Sequence, residues 1–263
     1  MTAAHTTAHK TTLPSSVHTA RGLVGPALRV AVDRLSPRMS RIAGYHFGWL
    51  DEAGWPVDGG GGKRLRPALA LLSAQAAGVP AQCGVPAAVA VELVHNFSLL
   101  HDDIMDGDRE RHHRATAWTV FGTSSAILAG DALLALAEEV LLEDGSPGGY
   151  WAARCLTTAT QRLIAGQTAD LEFEQRLDVT VDEGMSMVSD KTAALFACAS
   201  SIGSMLASAP PPLATSLAGY GAHLGLSFQL VDDVLGIWGS PEVTGKPVLS
   251  DLRTRKKSLP VVA

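Results

Sequence analysis

This chain of 263 residues is short of several things that would direct its reading elsewhere. Only 18% of its residues are charged, against roughly a quarter in an ordinary soluble domain, and 21 basic against 26 acidic side chains leave a net charge of −5. Without a basic surplus, charge gives no footing for a nucleic-acid backbone or an anionic membrane surface. Cysteine is scarce as well: Cys83, Cys155 and Cys198 lie far apart and lack C-x-x-C spacing. That argues against a disulfide framework or a zinc site and points to a reducing cytoplasm. The longest apolar stretch is interrupted by Asp131 and Glu138 before it reaches the ~18 residues of a membrane span, so no transmembrane segment is expected. The start, MTAAHTTAHKTTLPSS, has no apolar core of a secretory signal. Strand-like alternation is missing too, and Ala and Leu outnumber β-branched residues.

What is present is helical periodicity. Residues 1–20 are rich in Thr, His and Ala without a period and read as a disordered tail. From Arg21, apolar residues recur at three- and four-residue steps to Leu50. After a glycine run at 59–62, helices are predicted over 65–78, 84–107, 123–144, 149–176, 181–209 and 212–239, and Thr180 with Glu183 forms a T-x-x-E capping box. The expectation is one all-α domain over 21–263, with a Gly/Pro-punctuated, basic segment after Trp238.

Chemistry concentrates at the acids. Asp102, Asp103 and Asp106 share about 100° of arc on one helix, among apolar residues that a solvated face would not need. Hard carboxylate oxygens so crowded suit Mg²⁺ bridging to substrate phosphates. A second pair, Asp232-Asp233, ends another long apolar helix, and two such pairs can face each other across a bundle core. Cations accompany them: Lys63, Arg64, Arg66, Arg109, Arg111, Arg114, Lys191, Lys246 and Lys256. In a chain poor in charge they read as phosphate ligands. A surface acidic patch and ordinary surface cations are the alternatives.

Taken together, Gly62-Lys63-Arg64-Leu65-Arg66-Pro67, Glu92-Leu93-Val94-His95 running into Leu100-His101-Asp102-Asp103-Ile104-Met105-Asp106, Gly166-Gln167 with Asp170, Lys191-Thr192-Ala193 and Phe228-Gln229-Leu230-Val231-Asp232-Asp233 closely resemble the trans-isoprenyl diphosphate synthases, or polyprenyl synthetases, over about residues 21–260. The ending resembles that of bacterial geranylgeranyl diphosphate synthases. The resemblance implies an isoprenoid synthase-like helical bundle around a central cavity, a homodimer, and isopentenyl and allylic diphosphates as substrates. It gives Asp102, Asp106 and Asp232 to a cluster of three Mg²⁺ ions, supported by Asp103 and Asp233. Arg111, Lys191, Thr192, Gln229, Lys246 and Lys256 would bind the allylic diphosphate, and Lys63, Arg66 and His95 isopentenyl diphosphate.

By the same resemblance, His112 stands where the family has a second arginine for isopentenyl diphosphate, and Arg114 or a protonated His112 would have to compensate. Gly236 stands where a third carboxylate of the second motif is found, with Asp251 a possible substitute. Family chains continue for several helices past Leu259-Pro260, so the domain is expected to lack those helices. Phe97, with Ser98 beside it, would floor the cavity five residues before Asp102 and stop the product at twenty carbons. Two other functions stay open: a terpene synthase-like enzyme that cyclises or hydrolyses an allylic diphosphate, and a non-catalytic partner subunit.

Overall fold

The structure, a computed structural model, describes residues 14–57, 64–143, 145–239 and 257–263. Among these it is a helical bundle: α1 (Ser15–Val32), α2 (Pro37–His46), α3 (Leu65–Ala76), α4 (Val85–Met105), α5 (Ala117–Phe121), α6 (Thr123–Leu142), α7 (Pro147–Glu174), α8 (Val181–Val188), α9 (Ala194–Leu206) and α10 (Pro211–Trp238), with a last turn at Leu259–Val262. A five-residue π-helical stretch, Ser189–Ala193, joins α8 to α9.

The described residues differ from the sequence expectations in four ways. Helix α1 begins at Ser15, so the tail assigned to 1–20 ends sooner than expected; residues 1–13 lie outside the described residues. Val17, Ala20, Val24 and Leu28 form one buried stripe that the surrounding Thr and His residues obscure. The single periodic run to Leu50 is broken at 33–36, because Pro37 starts a new helix at the first position, where its missing N–H costs nothing. The span 181–209 divides around the π-helical stretch. And one strand pair exists: β1 (Glu110–Arg111) and β2 (Arg114–Ala115) form a minimal antiparallel hairpin.

The capping box is formed as expected. Thr180 Oγ1 accepts from the Glu183 N–H at 3.3 Å, and Glu183 Oε2 accepts from the Thr180 N–H at 2.9 Å.

Helix α9 is the axis of the bundle, packed by α3, α4, α7 and α10, with Leu195, Phe196 and Ile202 fully buried. Glycine makes one of these approaches possible: a Cβ on Gly203 would sit 2.1 Å from the Ala70 carbonyl of α3. The segment Ala81–Met105, which includes α4, is the one described helix long and apolar enough to cross a membrane, and 72% of its apolar window is buried inside the protein. It is therefore a core helix. The stretch holding Asp131 and Glu138 is α6, with Leu133, Leu136 and Leu141 on its buried face.

Candidate active site

The end of α4 places its aspartates in unlike surroundings. Asp103 points inward, 1% exposed, and Arg111 grips its Oδ1 through Nε at 2.8 Å and Nη2 at 2.7 Å. The other carboxylate oxygen of Asp103 is buried without a hydrogen-bond partner. Asp102 and Asp106 lie about 40° apart on the helix. Asp102 is half-buried, and burial pushes its carboxyl up to about 6; Asp106 and Asp103 add to the rise, while Lys191 and Arg111 oppose it.

Arg111 reaches Asp103 because the β1–β2 hairpin folds back on α4. Its two-residue loop is His112-His113, both in the left-handed region with φ of 51° and 61°, as a tight hairpin of this type requires. Histidine takes this conformation at a cost glycine would not bear. Arg114 is not available to stand in for the missing arginine. It donates to the carbonyls of Tyr45 at 3.2 Å and Leu50 at 2.9 Å, and its guanidinium lies 4.5 Å from the Tyr45 ring centroid. His112 itself is exposed.

Across from α4, the π-helical stretch presents Lys191 and Thr192. Lys191 Nζ donates to Asp170 of α7. Only glycine permits this approach, since a Cβ on Gly166 would stand 2.2 Å from the Lys191 backbone nitrogen. Thr192 Oγ1 donates to Gln229 Oε1 at 2.9 Å, Gln229 Nε2 donates to Asp233 Oδ1 at 2.7 Å, and Asp233 Oδ2 accepts from the Leu259 N–H at 3.0 Å. This chain of bonds corrects one expectation. Asp233 is expected to support the metal ligands, yet it is 3% exposed and both its oxygens are engaged in holding α10 and the Leu259 turn. Thr192 and Gln229, expected on the allylic diphosphate, are bonded to each other within the same chain. A void of about 30 Å³ beside them has room for little more than water.

A second cationic set lies deeper. Arg66 Nη1 approaches His95 Nε2 at 3.3 Å, and its guanidinium sits 4.4 Å from the Phe196 ring centroid. Burial holds His95 well below the usual histidine range, so a neutral ring accepts from the arginine. Arg66 Nε and Arg64 Nη1 are buried without hydrogen-bond partners. Glu92 lies close enough to feel both arginines, and burial raises its carboxyl. Arg66 and His95 are thus together, as expected, with unsatisfied donors that suit an anion.

Sequence reasoning missed two participants. His46, at the end of α2, lies beside Asn96, and burial with nearby Arg111 lowers it to about 3. Nothing in Tyr45-His46-Phe47 signals this, since the ring acquires its neighbours only when α2 meets α4. Asp170 belonged to a recognised motif, but its role as the partner of Lys191 appears only in the fold. Phe97 is buried and meets His101 edge-on at 4.9 Å between centroids, while Ser98 Oγ donates to the His95 carbonyl at 2.8 Å. Lys63, Lys246, Lys256, Asp251 and the glycine run lie outside the described residues.

Among the described residues, no three acidic, histidine or cysteine side chains form a metal cage. Mg²⁺ bound between one or two carboxylates and substrate phosphates needs none. The desolvated Asp102 next to Asp106, with an unpartnered Asp103 oxygen behind them, is a donor set that fits a hard cation. Asp232 is exposed on α10 and is absent from the charges that act most on Asp102.

An all-helical bundle with an acidic cluster at one helix end, flanked by two sets of phosphate-type cations, defines the isoprenoid synthase class of fold. Residues 48–263 match the polyprenyl synthetase family. The chain is 54% identical over 242 residues to a (2E,6E)-farnesyl diphosphate synthase of Mycobacterium tuberculosis, spanning 92% of this chain and 67% of that protein. It is 44% identical over 246 residues to a geranylgeranyl diphosphate synthase of the same species, spanning 93% and 70%. The crystal structure of a polyprenyl synthetase from Streptomyces coelicolor A3(2) superposes with a TM-score of 0.92 at 57% identity, over 95% of this chain and 74% of that one. The chain belongs to the polyprenyl synthetase family; it is a trans-isoprenyl diphosphate synthase, a prenyltransferase.

Proposed function

We propose that the protein condenses isopentenyl diphosphate with an allylic diphosphate to give a trans-polyprenyl diphosphate of twenty carbons, geranylgeranyl diphosphate, using Mg²⁺ held by Asp102, Asp106 and Asp232. The observation that carries this reading is the presence of two neighbouring cationic sets: Lys191 and Arg111 beside Asp102, and the buried Arg66 with His95, on which Arg111 also acts. A cyclase has no use for the second set.

Mg²⁺, when bound, would neutralise charge on the departing diphosphate. Lys191 and Arg111 are pre-positioned to do the same, and Asp170 and Asp103 hold them in place. Such electrostatic preorganisation is commonly the largest part of catalysis. The Arg66 and His95 donors would hold isopentenyl diphosphate so that its double bond attacks the allylic carbocation. The apolar residues of α4 that precede Asp102 would keep water from that cation.

Buried Phe97 supports the twenty-carbon limit, whereas the farnesyl-named relative at 54% identity favours fifteen. Incubation with Mg²⁺, labelled isopentenyl diphosphate and either geranyl or farnesyl diphosphate separates the two. Label accumulating in a C20 diphosphate supports the proposal. Arrest at C15 supports the shorter product, and unlabelled hydrocarbon or alcohol overturns condensation altogether. Phe97→Ala should lengthen the product; an unchanged C20 stop would remove Phe97 as the floor.

The protein is further proposed to be a cytoplasmic homodimer. Free Cys83, Cys155 and Cys198 accord with a reducing compartment. The exposed Ile127, Leu128, Leu142 and Trp151 of α6 and α7 supply apolar surface for a second copy. Light scattering should return the mass of a dimer.

A further inference from the structure

Away from the aspartates, α7, α9 and α10 enclose a groove of about 330 Å³ that plays no part in the proposed reaction. Cys155 of α7 and Cys198 of α9 both line it. Their sulfurs are 3.7 Å apart, and Cys155 Sγ is also 3.9 Å from Ser201 Oγ. Two thiols on neighbouring helices at van der Waals contact need only small side-chain rotations to reach the bonded separation of about 2.0 Å. The two are unlike: Cys198 is 3% exposed, whereas Cys155 is half-buried and opens to the groove, where Arg154 and Arg162 also lie. Cys83, the third cysteine, is exposed on a separate turn.

We propose that Cys155 and Cys198 are a reversible dithiol–disulfide pair, with Cys155 as the thiol first attacked by a hydroperoxide. The Cys155 thiolate attacks the peroxide oxygen, the O–O bond breaks, and the leaving oxygen takes up a proton to depart as water or an alcohol. Cys155 is then a sulfenic acid. The Cys198 sulfur attacks the Cys155 sulfur, the S–S bond forms, the S–O bond breaks, and water leaves with the Cys198 proton. Two electrons pass from the thiol pair to one peroxide, and a small dithiol reverses the change. The contact with Cys198 holds Cys155 below the usual thiol range, and the same contact together with burial pushes Cys198 above it.

The location gives the bond a consequence. It would tie α7 to α9, which continues directly from the π-helical stretch whose Lys191 pairs with Asp170 of α7, and close a loop spanning 43 residues of separation. The pair would rest reduced in a reducing compartment and respond to oxidant.

The test uses the full chain carrying Cys83→Ser. Treatment with stoichiometric hydrogen peroxide, then alkylation and non-reducing peptide mapping, should give a Cys155–Cys198 cross-linked peptide and a mass loss of about 2 Da, reversed by dithiothreitol. The Cys198→Ala variant should instead accumulate sulfenic or sulfinic acid at Cys155. Cys155→Ser should leave Cys198 unoxidised. Sulfinic acid at Cys155 with no cross-link in the chain that retains Cys198, or two thiols that stay alkylatable throughout, would overturn the proposal. The peptide map of the Cys83→Ser chain decides the matter even if the Cys198→Ala variant fails to fold.

Discussion

The two aspartate pairs, Asp102-Asp103 on α4 and Asp232-Asp233 on α10, look alike in sequence and divide their labour the same way. In each, the second carboxylate turns inward and holds structure. Asp103 grips Arg111 of the hairpin, and Asp233 joins Gln229 to the Leu259 backbone. The first carboxylate of each pair is the one proposed above for Mg²⁺. Their surroundings then part company. Asp102 is desolvated beside Lys191 and Arg111, whereas Asp232 lies exposed on α10. A carboxylate in a drier, more crowded site interacts more strongly with any cation it binds. Asp102 should therefore weigh more than Asp232 in the chemistry, and both inner aspartates should matter to stability more than to turnover.

The largest expected effect breaks the likeness between the outer aspartates. Asp102→Ala should lower kcat/KM about 10³-fold and Asp232→Ala about 10²-fold, magnitudes typical of lost electrostatic stabilisation at a charge-separating step. Steady-state kinetics at saturating Mg²⁺ measures both, and the opposite order would mean that exposure of Asp232 does not weaken its hold on the ions.

Next comes the inner aspartate of α4. Asp103→Ala leaves Arg111 without its partner and should cost about 3 kcal/mol, at the low end for breaking a buried pair because Arg111 is partly exposed. Urea denaturation reads the loss. Asp233→Ala should cost somewhat less, about 2–3 kcal/mol, for two hydrogen bonds to a buried carboxylate. Its signature is local: faster amide exchange and proteolysis at 257–263. Uniform loosening of the bundle would mean that Asp233 is not the clamp of that turn.

These roles explain how much could be read beforehand. The helix starts at Leu65, Thr123 and Val181 fall where expected, because an apolar stripe depends on nearby residues and, at Val181, so does the capping box. The nearness of Arg66 to His95 was readable from motifs alone. Which aspartate of a pair turns inward was not, because Arg111 reaches Asp103 only through a hairpin whose His112-His113 loop carries none of the usual Gly or Asn signal. Asp233 is fixed by a backbone N–H 26 residues later, a partner that no helical period can reveal. His46 is hidden for the same reason.

That histidine supplies the smallest effect and a last distinction between the two regions. His46 packs on the α4 side, among Asn96, Arg111, His112 and Arg114, and its folded value near 3 lies below the ordinary 6.5. Between those values the unfolded chain binds a proton that the folded protein refuses, so the neutral ring's contribution to stability is complete above about 6.5 and is lost as pH falls toward 3. Stability should drop by about 2 kcal/mol from pH 7 to pH 5 on this account, and His95, lowered in the same direction, adds to it. His46→Gln should flatten that slope in urea titrations at the two pH values. Hydrogen exchange at pH 5 should then show α2 and α4 opening before the Leu259 turn. A slope unchanged by the substitution, or earlier opening at 257–263, would place the acid sensitivity on the α10 side instead.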